Sequence, residues 1–243
     1  MRYFTTRGLI LKKQPSGEND WYLTIFSPEY GKIQAVSRSS RKISSHKGSH
    51  LETLNLCEFQ LYKNGDRFLI TECKVENAYL AIKSDLDKSA ACFAILEVLL
   101  RSIQSDNQNT ELFLLTLKTL DQLNNELDQV ELEEYKIRLL KDGGSWPDLA
   151  RCHYCLETWT ETSLIACDQL GHLSCESCLH LSGIRRESYP YKIIKLAKYL
   201  SEEGHAKMKI VITKQQLFQL KKLVSLFMQN YLQQELKSEK IFL

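Results

Sequence analysis

Through residue 77 the apolar positions come in short alternating runs; from about Ser84 onward they recur every three or four residues. The first pattern belongs to half-buried strands, the second to amphipathic helices. Segments near Tyr3–Lys12, Trp21–Phe26, Gly31–Ser37, Leu54–Tyr62 and Arg67–Val75 are rich in β-branched and aromatic residues and are separated by turn signals. In the fourth, Cys57, Phe59 and Leu61 alternate with Glu58 and Gln60. Asn64-Gly65 predicts a tight hairpin, since both residues tolerate positive φ. Gln14–Asp20 and Ser27–Gly31 supply two earlier connections. Five short antiparallel strands suit a small barrel of the oligonucleotide/oligosaccharide-binding (OB) type, with an SH3-like barrel as close competitor.

The helical spacing predicts a first helix over Asp85–Gln104, with Leu86, Ala90, Phe93, Leu96, Glu97 and Leu100 along its stripe. Thr110–Leu123 follows, with Leu112, Leu115 and Thr119 on one face. Gln129–Leu140 carries Leu132, Tyr135 and Leu139, and Gly143-Gly144 stops it before Pro147 bends the chain. Tyr191–Glu203 and Thr213–Leu236 complete the set, the last opened by a capping box of Thr213 and Gln216. Its stripe is Leu217, Leu220, Val224, Phe227 and Tyr231. Six acids between Asp121 and Glu134 read as one solvated helix face.

Two Cys-x-x-Cys pairs, Cys152/Cys155 and Cys175/Cys178, are separated by nineteen residues. A two-residue gap lets a tight turn aim both sulfurs at one point, and two such knuckles supply the four tetrahedral thiolates Zn²⁺ prefers. Four thiolates fill the coordination sphere of one ion, so the expected Zn²⁺ site is structural. Cys57, Cys73 and Cys92 stand singly in strand or helix patterns and read as buried thiols; Cys167, His153 and His172 lie near the pairs without knuckle spacing. The resulting fold class is α+β. An N-terminal five-stranded OB-type β-barrel over 1–78 precedes an all-helical domain over 79–149 and 184–243, into which a four-cysteine zinc module over 150–183 is inserted.

Charge changes the picture for the barrel alone. Residues 1–75 carry twelve basic against seven acidic side chains, residues 76–151 eight against fourteen, and residues 152–243 twelve against nine. The stretch Gly31–Leu51 contains Lys32, Arg38, Arg41, Lys42 and Lys47 with His46 and His50, and no acid. Such a segment reads as a mobile basic loop whose cations neutralise phosphates and release counterions. The competing reading is a solvated loop without a partner. Trp21, Tyr22, Tyr30 and Tyr62 are candidate base-stacking surfaces.

Composition excludes several classes. Apolar residues make up 43% and charged residues 26%, and no run is long enough to span a bilayer, so the expectation is a cytoplasmic protein without a membrane partner. The N-terminus has no secretory pattern, and paired cysteines in a reducing compartment bind metal more often than they form disulfides. There is no G-x-x-x-x-G-K-[ST] loop, His-Glu-x-x-His or Gly-x-Ser-x-Gly. The chain is accordingly expected to be no enzyme. A zinc-ribbon RNA- or transcription-associated adaptor is the alternative binding module, and a nuclease or ligase fragment with a structural zinc the enzymatic one.

Barrel, helices, four-cysteine insertion and final helix, in that order, resemble the bacterial recombination mediator RecO family. Gly17-Glu18-Asn19-Asp20, then Leu23-Thr24-Ile25-Phe26 and Tyr30-Gly31-Lys32, look like the family's first hairpin; the cysteine pairs match its zinc-bearing branch. Leu236–Phe242 looks like its closing segment. The chain departs from the family pattern at Ser37–Ser40, where a glycine is usual, and at Gly171-His172, where a glycine pair is usual. The resemblance implies a nucleoid-associated DNA-repair and recombination protein that binds single- and double-stranded DNA, with Lys32, Arg38, Arg41, Lys42 and Lys47 on the phosphates. It further implies annealing of complementary strands and work with RecR, and in some systems RecF, to load RecA onto strands coated by single-strand DNA-binding protein. The acidic tail of that coating protein would dock on the helical domain, with Lys195, Lys198, Lys221 and Lys222 as candidate contacts.

Overall fold

The computed structural model describes residues 2–42, 45, 48–65, 67–105, 107–168, 170–178, 187–204 and 211–232. Lys47, His46 and the segment Leu236–Phe242, singled out above, lie outside the described residues. Strands β1 (Arg2–Ser16), β2 (Asp20–Ser27), β3 (Gly31–Ser37), β4 (Leu56–Asn64) and β5 (Arg67–Asn77) close into a barrel in the order β1-β2-β3-β5-β4. Every described pairing is antiparallel except that of β3 with β5, which is parallel.

Closure falls to β1. Its first half, Arg2–Leu9, pairs with β4, and its second half, from Leu9 to Ser16, pairs with β2. The strand must bend to serve both. The register breaks between Ile10 and Lys12, where an extra residue sharpens the local twist. Gly8 sits just before the bend, and a Cβ there would overlap Ile25 and press on the Phe59 ring. Inward positions at period two fill the barrel: Ile10, Leu23, Ile25, Ile33, Ala35, Phe59, Leu61 and Ile70 form one buried cluster. Each leucine, isoleucine or phenylalanine among them contributes roughly 1.5–3 kcal/mol by leaving water. Asn64 pairs with Arg67 across the predicted hairpin, and Gly65 opens the loop at φ 61°.

The chain divides into two compact units, the first running through Leu127 and the second starting at Asp128. The division falls inside the segment that the sequence assigns to one helical domain. With the barrel go α1 (Leu80–Ser84), α2 (Leu86–Ser102) and α3 (Thr110–Asn125). Asp85 caps α2 by accepting the Lys88 N–H, and Asn109 caps α3 through the Leu112 N–H. Phe113 of α3 packs edge-on against Phe26 at 5.3 Å. The α2 stripe differs from the expected one. Ala91, Cys92, Ile95, Leu96, Val98 and Leu99 are buried, whereas Leu86 is 85% and Phe93 56% exposed. Apolar residues on both faces of this helix make its periodicity ambiguous.

The second unit contains α4 (Gln129–Asp142), a small sheet in the order β7-β6-β8, α5 (Tyr191–Glu202) and α6 (Lys214–Leu232). Its strands are β6 (Leu164–Cys167), β7 (Leu173–Ser174) and β8 (Glu187–Pro190). Thr213 and Gln216 exchange hydrogen bonds at 2.9 and 3.2 Å as the capping box requires. The acids between Asp121 and Glu134 do not form one solvated face: α3 ends at Asn125, α4 begins at Gln129, and Glu133 is only 2% exposed beside Lys136 at 3.0 Å. Among the described residues no helix is long and apolar enough to cross a membrane.

Gly31 joins β3 to the end of α2. Its φ is 62°, and a Cβ would overlap the carbonyl oxygens of Asn107 and Gln104. Beside it the Lys32 N–H donates to the Gln104 carbonyl at 3.0 Å, and the Lys32 ammonium donates to the Leu100 carbonyl at 3.1 Å. A cation at the C-terminal turn of a helix meets the negative end of its dipole. Gly31→Ala therefore combines left-handed backbone strain with backbone overlap, and should lower stability by at least about 2 kcal/mol in a denaturant titration.

Candidate metal centre and nucleic-acid surface

The knuckles converge. The Sγ atoms of Cys152, Cys155, Cys175 and Cys178 all lie within 4.8 Å of one another, and those of Cys155 and Cys175 are 3.7 Å apart. Local backbone bonding explains the turns. The Leu156 N–H returns to the Cys152 carbonyl at 3.0 Å, with Leu156 at φ 64°, and the Cys178 N–H returns to the Cys175 carbonyl at 3.1 Å. The His153 N–H donates to the Leu173 carbonyl at 2.8 Å, tying the first knuckle to β7. Cys152 and Cys178 are buried, Cys175 is half-buried and Cys155 is exposed.

Burial raises the Cys152 thiol, but N–H groups of Cys155, Cys175 and Tyr154 outweigh it and bring it down to about 6. Burial and the neighbouring sulfurs push Cys178 up to about 12. The Cys152 thiolate forms readily, while the Cys178 thiol beside it resists, because like charges crowded together disfavour a second ionisation. Four soft donors within this radius fit a thiophilic tetrahedral ion. Cys167 lies apart, buried on β6, where burial holds its thiol protonated. His153 and His172 stack on each other at 4.1 Å, and His172 Nδ1 lies 3.3 Å from Asp168. Among the described residues the four-sulfur set is the one cluster that can hold a metal.

The basic segment is tied to the β1–β2 turn. The Ser39 N–H donates to the Asp20 carboxylate at 2.7 Å, the Arg41 N–H to the Asn19 carbonyl at 2.9 Å, and the Arg41 guanidinium to the Gly17 carbonyl at 2.9 Å. Ser40 is buried, its hydroxyl donating to the Ser37 carbonyl at 2.7 Å. The expected mobile loop is thus anchored through Arg41. Arg38 and Lys42 remain exposed, while Lys32 is half-buried on the α2 terminus.

The aromatic candidates sort into different roles. Trp21 lies under Lys13 at 4.2 Å and near Arg41 at 5.2 Å, so cations attend its ring. Lys13, which also pairs with Glu52 at 2.6 Å, carries no local signal in the sequence; its cross-strand position acquires meaning only with the register. Tyr30 packs on Phe4 at 4.7 Å against the barrel core. Tyr22 and Tyr62 remain partly exposed.

In the second unit, Lys195 pairs with Glu161 at 2.6 Å, and Lys222 lies 3.3 Å from Glu187 and 5.4 Å from the Phe218 ring. Lys221 donates to Gln129 at 2.9 Å, and burial lowers its pKa. Lys198 is exposed on α5. Phe218, beside Lys222, is 50% exposed.

Two family models cover nearly all of the chain: "Recombination protein O N terminal" over residues 1–79 and "Recombination protein O C terminal" over residues 83–240. A protein of Dehalococcoides mccartyi called DNA repair protein RecO is 29% identical over 82% of this chain and 78% of its own length. Its namesake in Clostridium novyi is 24% identical over 98% of this chain and 93% of its own. A third, from Acetivibrio thermocellus, is 29% identical over 74% and 72%. The chain belongs to the RecO family.

The sulfur geometry makes a direct prediction. Cobalt(II) added to the reduced protein should bind at one ion per chain with the visible spectrum of a four-thiolate tetrahedral site. Cys152→Ser or Cys178→Ser should remove that spectrum, whereas Cys167→Ser should leave it intact.

Proposed function

We propose that the protein is a non-enzymatic DNA-repair and recombination mediator. It binds single- and double-stranded DNA, anneals complementary strands, and helps load recombinase onto strands coated with single-strand DNA-binding protein. The reading rests above all on family membership along nearly the whole chain, together with relatives that carry the name DNA repair protein. The closed barrel order with a parallel β3–β5 pair supports an OB-type module. Exposed Arg38 and Lys42, held beside the β1–β2 turn, favour phosphate contact at the barrel's edge. A cationic surface screens repulsion between two strands, and base pairing then drives annealing without nucleotide hydrolysis.

Within this reading residues 1–78 bind nucleic acid, 79–149 and 184–243 form the helical platform, and 150–183 carry a structural zinc. Cys152, Cys155, Cys175 and Cys178 would hold the ion; a tetrahedral zinc with bonds of about 2.3 Å spaces its sulfurs about 3.8 Å apart, close to the 3.7 Å between Cys155 and Cys175. Filled by sulfur, that ion cross-links the two knuckles and activates no water. RecR, RecF where present, and the coating protein's acidic tail are the expected partners, with RecA served indirectly in the cytoplasm at the nucleoid. For the tail, Phe218 with Lys222 over its ring offers an apolar contact beside positive charge, with Lys195, Lys198 and Lys221 as further candidate contacts; Lys195 and Lys222 would first have to release Glu161 and Glu187.

An annealing assay without nucleotide, on complementary strands coated with the cognate single-strand binding protein, tests the reading. Acceleration supports the mediator; strand cleavage or an ATP requirement contradicts it. Arg38→Ala with Lys42→Ala should weaken binding to every sequence and reduce the slope of log affinity against log salt by about two. An unchanged slope removes these residues from the phosphate surface.

A further inference from the structure

The barrel's own registry picks out one outward row. Gln14 on β1 pairs with Tyr22 on β2, Tyr22 with Val36 on β3, Val36 with Leu69 on β5, Leu69 with Tyr62 on β4, and Tyr62 with Tyr3 back on β1. Their chain neighbours Leu23, Ala35, Ile70 and Leu61 fill the core, so strand alternation turns this row outward. None of the six is buried, and Tyr3 is 65% exposed. The row leaves β1 at Gln14 and rejoins it at Tyr3, eleven residues earlier. It is therefore a ramp winding round the barrel, the consequence of strand stagger in a closed sheet.

Three of the six positions are tyrosines, and the intervening Val36 and Leu69 are apolar. The rings of Tyr3 and Tyr62 lie 4.8 Å apart, and the Tyr22 hydroxyl donates to Gln34 at 2.7 Å, which fixes that ring. Cations flank the row: Arg38 two residues beyond Val36, Lys63 next to Tyr62, and Lys12 two residues before Gln14, all exposed. The outward side chain that α3 covers, Phe26, lies four residues farther along β2 than Tyr22.

We infer that this ramp is the track on which bases of a single strand stack, with the flanking cations on its phosphates. The inference rests on the nucleic-acid-binding reading above and adds a division of labour. A duplex hides the flat faces of its bases, so only an unpaired strand can use tyrosine rings, while phosphate contacts serve both forms. The basic segment thus sets general affinity, and the ramp sets preference for single strands. From Tyr22 round to Tyr3, successive interstrand steps of about 4.8 Å give a path of roughly 19 Å. A stacked strand rising about 3.4 Å per nucleotide would place about five or six bases along it.

The test compares Tyr3→Leu/Tyr62→Leu with Tyr3→Phe/Tyr62→Phe, and adds Tyr22→Leu alone. Leucine keeps apolar bulk without a ring, and phenylalanine keeps the ring. Affinities for a short single-stranded DNA and for a hairpin duplex are measured across a salt series, with melting temperature as a folding control. The leucine pair should lose about 10- to 100-fold on the single strand, with unchanged salt slope and unchanged duplex affinity; the phenylalanine pair should match the parent. Tyr22→Leu should show a smaller loss of the same kind. Undiminished single-strand binding by both leucine variants overturns the track while leaving the DNA-binding reading standing, and so does an equal loss on duplex. If the parent protein binds neither DNA, the underlying reading fails with it.

Discussion

A fifteen-residue strand that must satisfy two partners governs the first unit. β1 gives its opening half to β4 and its closing half to β2, and the barrel closes only because the chain can bend between them. The bulge between Ile10 and Lys12 supplies twist, and Gly8 supplies room against Ile25 and Phe59. Closure leaves no long free sheet edge, pairs β3 with β5, and fixes which side chains face outward. The helices then have a defined surface to meet. Phe113 covers Phe26, while Gly31 and Lys32 receive the last turn of α2.

The second unit solves a different problem. Its three described strands contain ten residues in all, too little sheet to form an independent core. Short backbone returns within each knuckle bring four sulfurs together, and the neighbouring turn packs against a helix. Gly171 at φ 83° lies so close to α6 that an added Cβ would meet Asn230 at 3.1 Å and Phe227 at 3.3 Å. The proposed zinc would lock the knuckles, while Gly171 and Phe227 seat them on a helix capped at its own start by Thr213 and Gln216.

Much of this architecture is written locally in the amino-acid sequence. Strand periodicity locates all five barrel strands to within a few residues, because alternate burial leaves a period-two trace. Caps at Asp85 and Thr213 mark helix starts, and cysteine spacing leads directly to the sulfur cluster. What stays hidden depends on tertiary neighbours. The exposed positions Leu86 and Phe93 are as apolar as the buried ones on α2, so spacing cannot decide which face turns inward. Lys32 belongs by composition to the basic segment, yet its ammonium meets a helix terminus whose position no local pattern reveals. Glu133 reads as solvated, but its burial beside Lys136 depends on packing within the second unit. The tyrosine ramp joins residues from several strands and emerges only when the registers are followed round the barrel.

The four sulfurs are not equally sheltered. Cys152 and Cys178 are enclosed, Cys175 is partly screened, and Cys155 stands in solvent. Alkylating agents and oxidants consequently have their first steric access to the cluster at one corner. Access and ionisation are thus divided: the sulfur that solvent reaches first, Cys155, is not the one that most readily becomes a thiolate, Cys152.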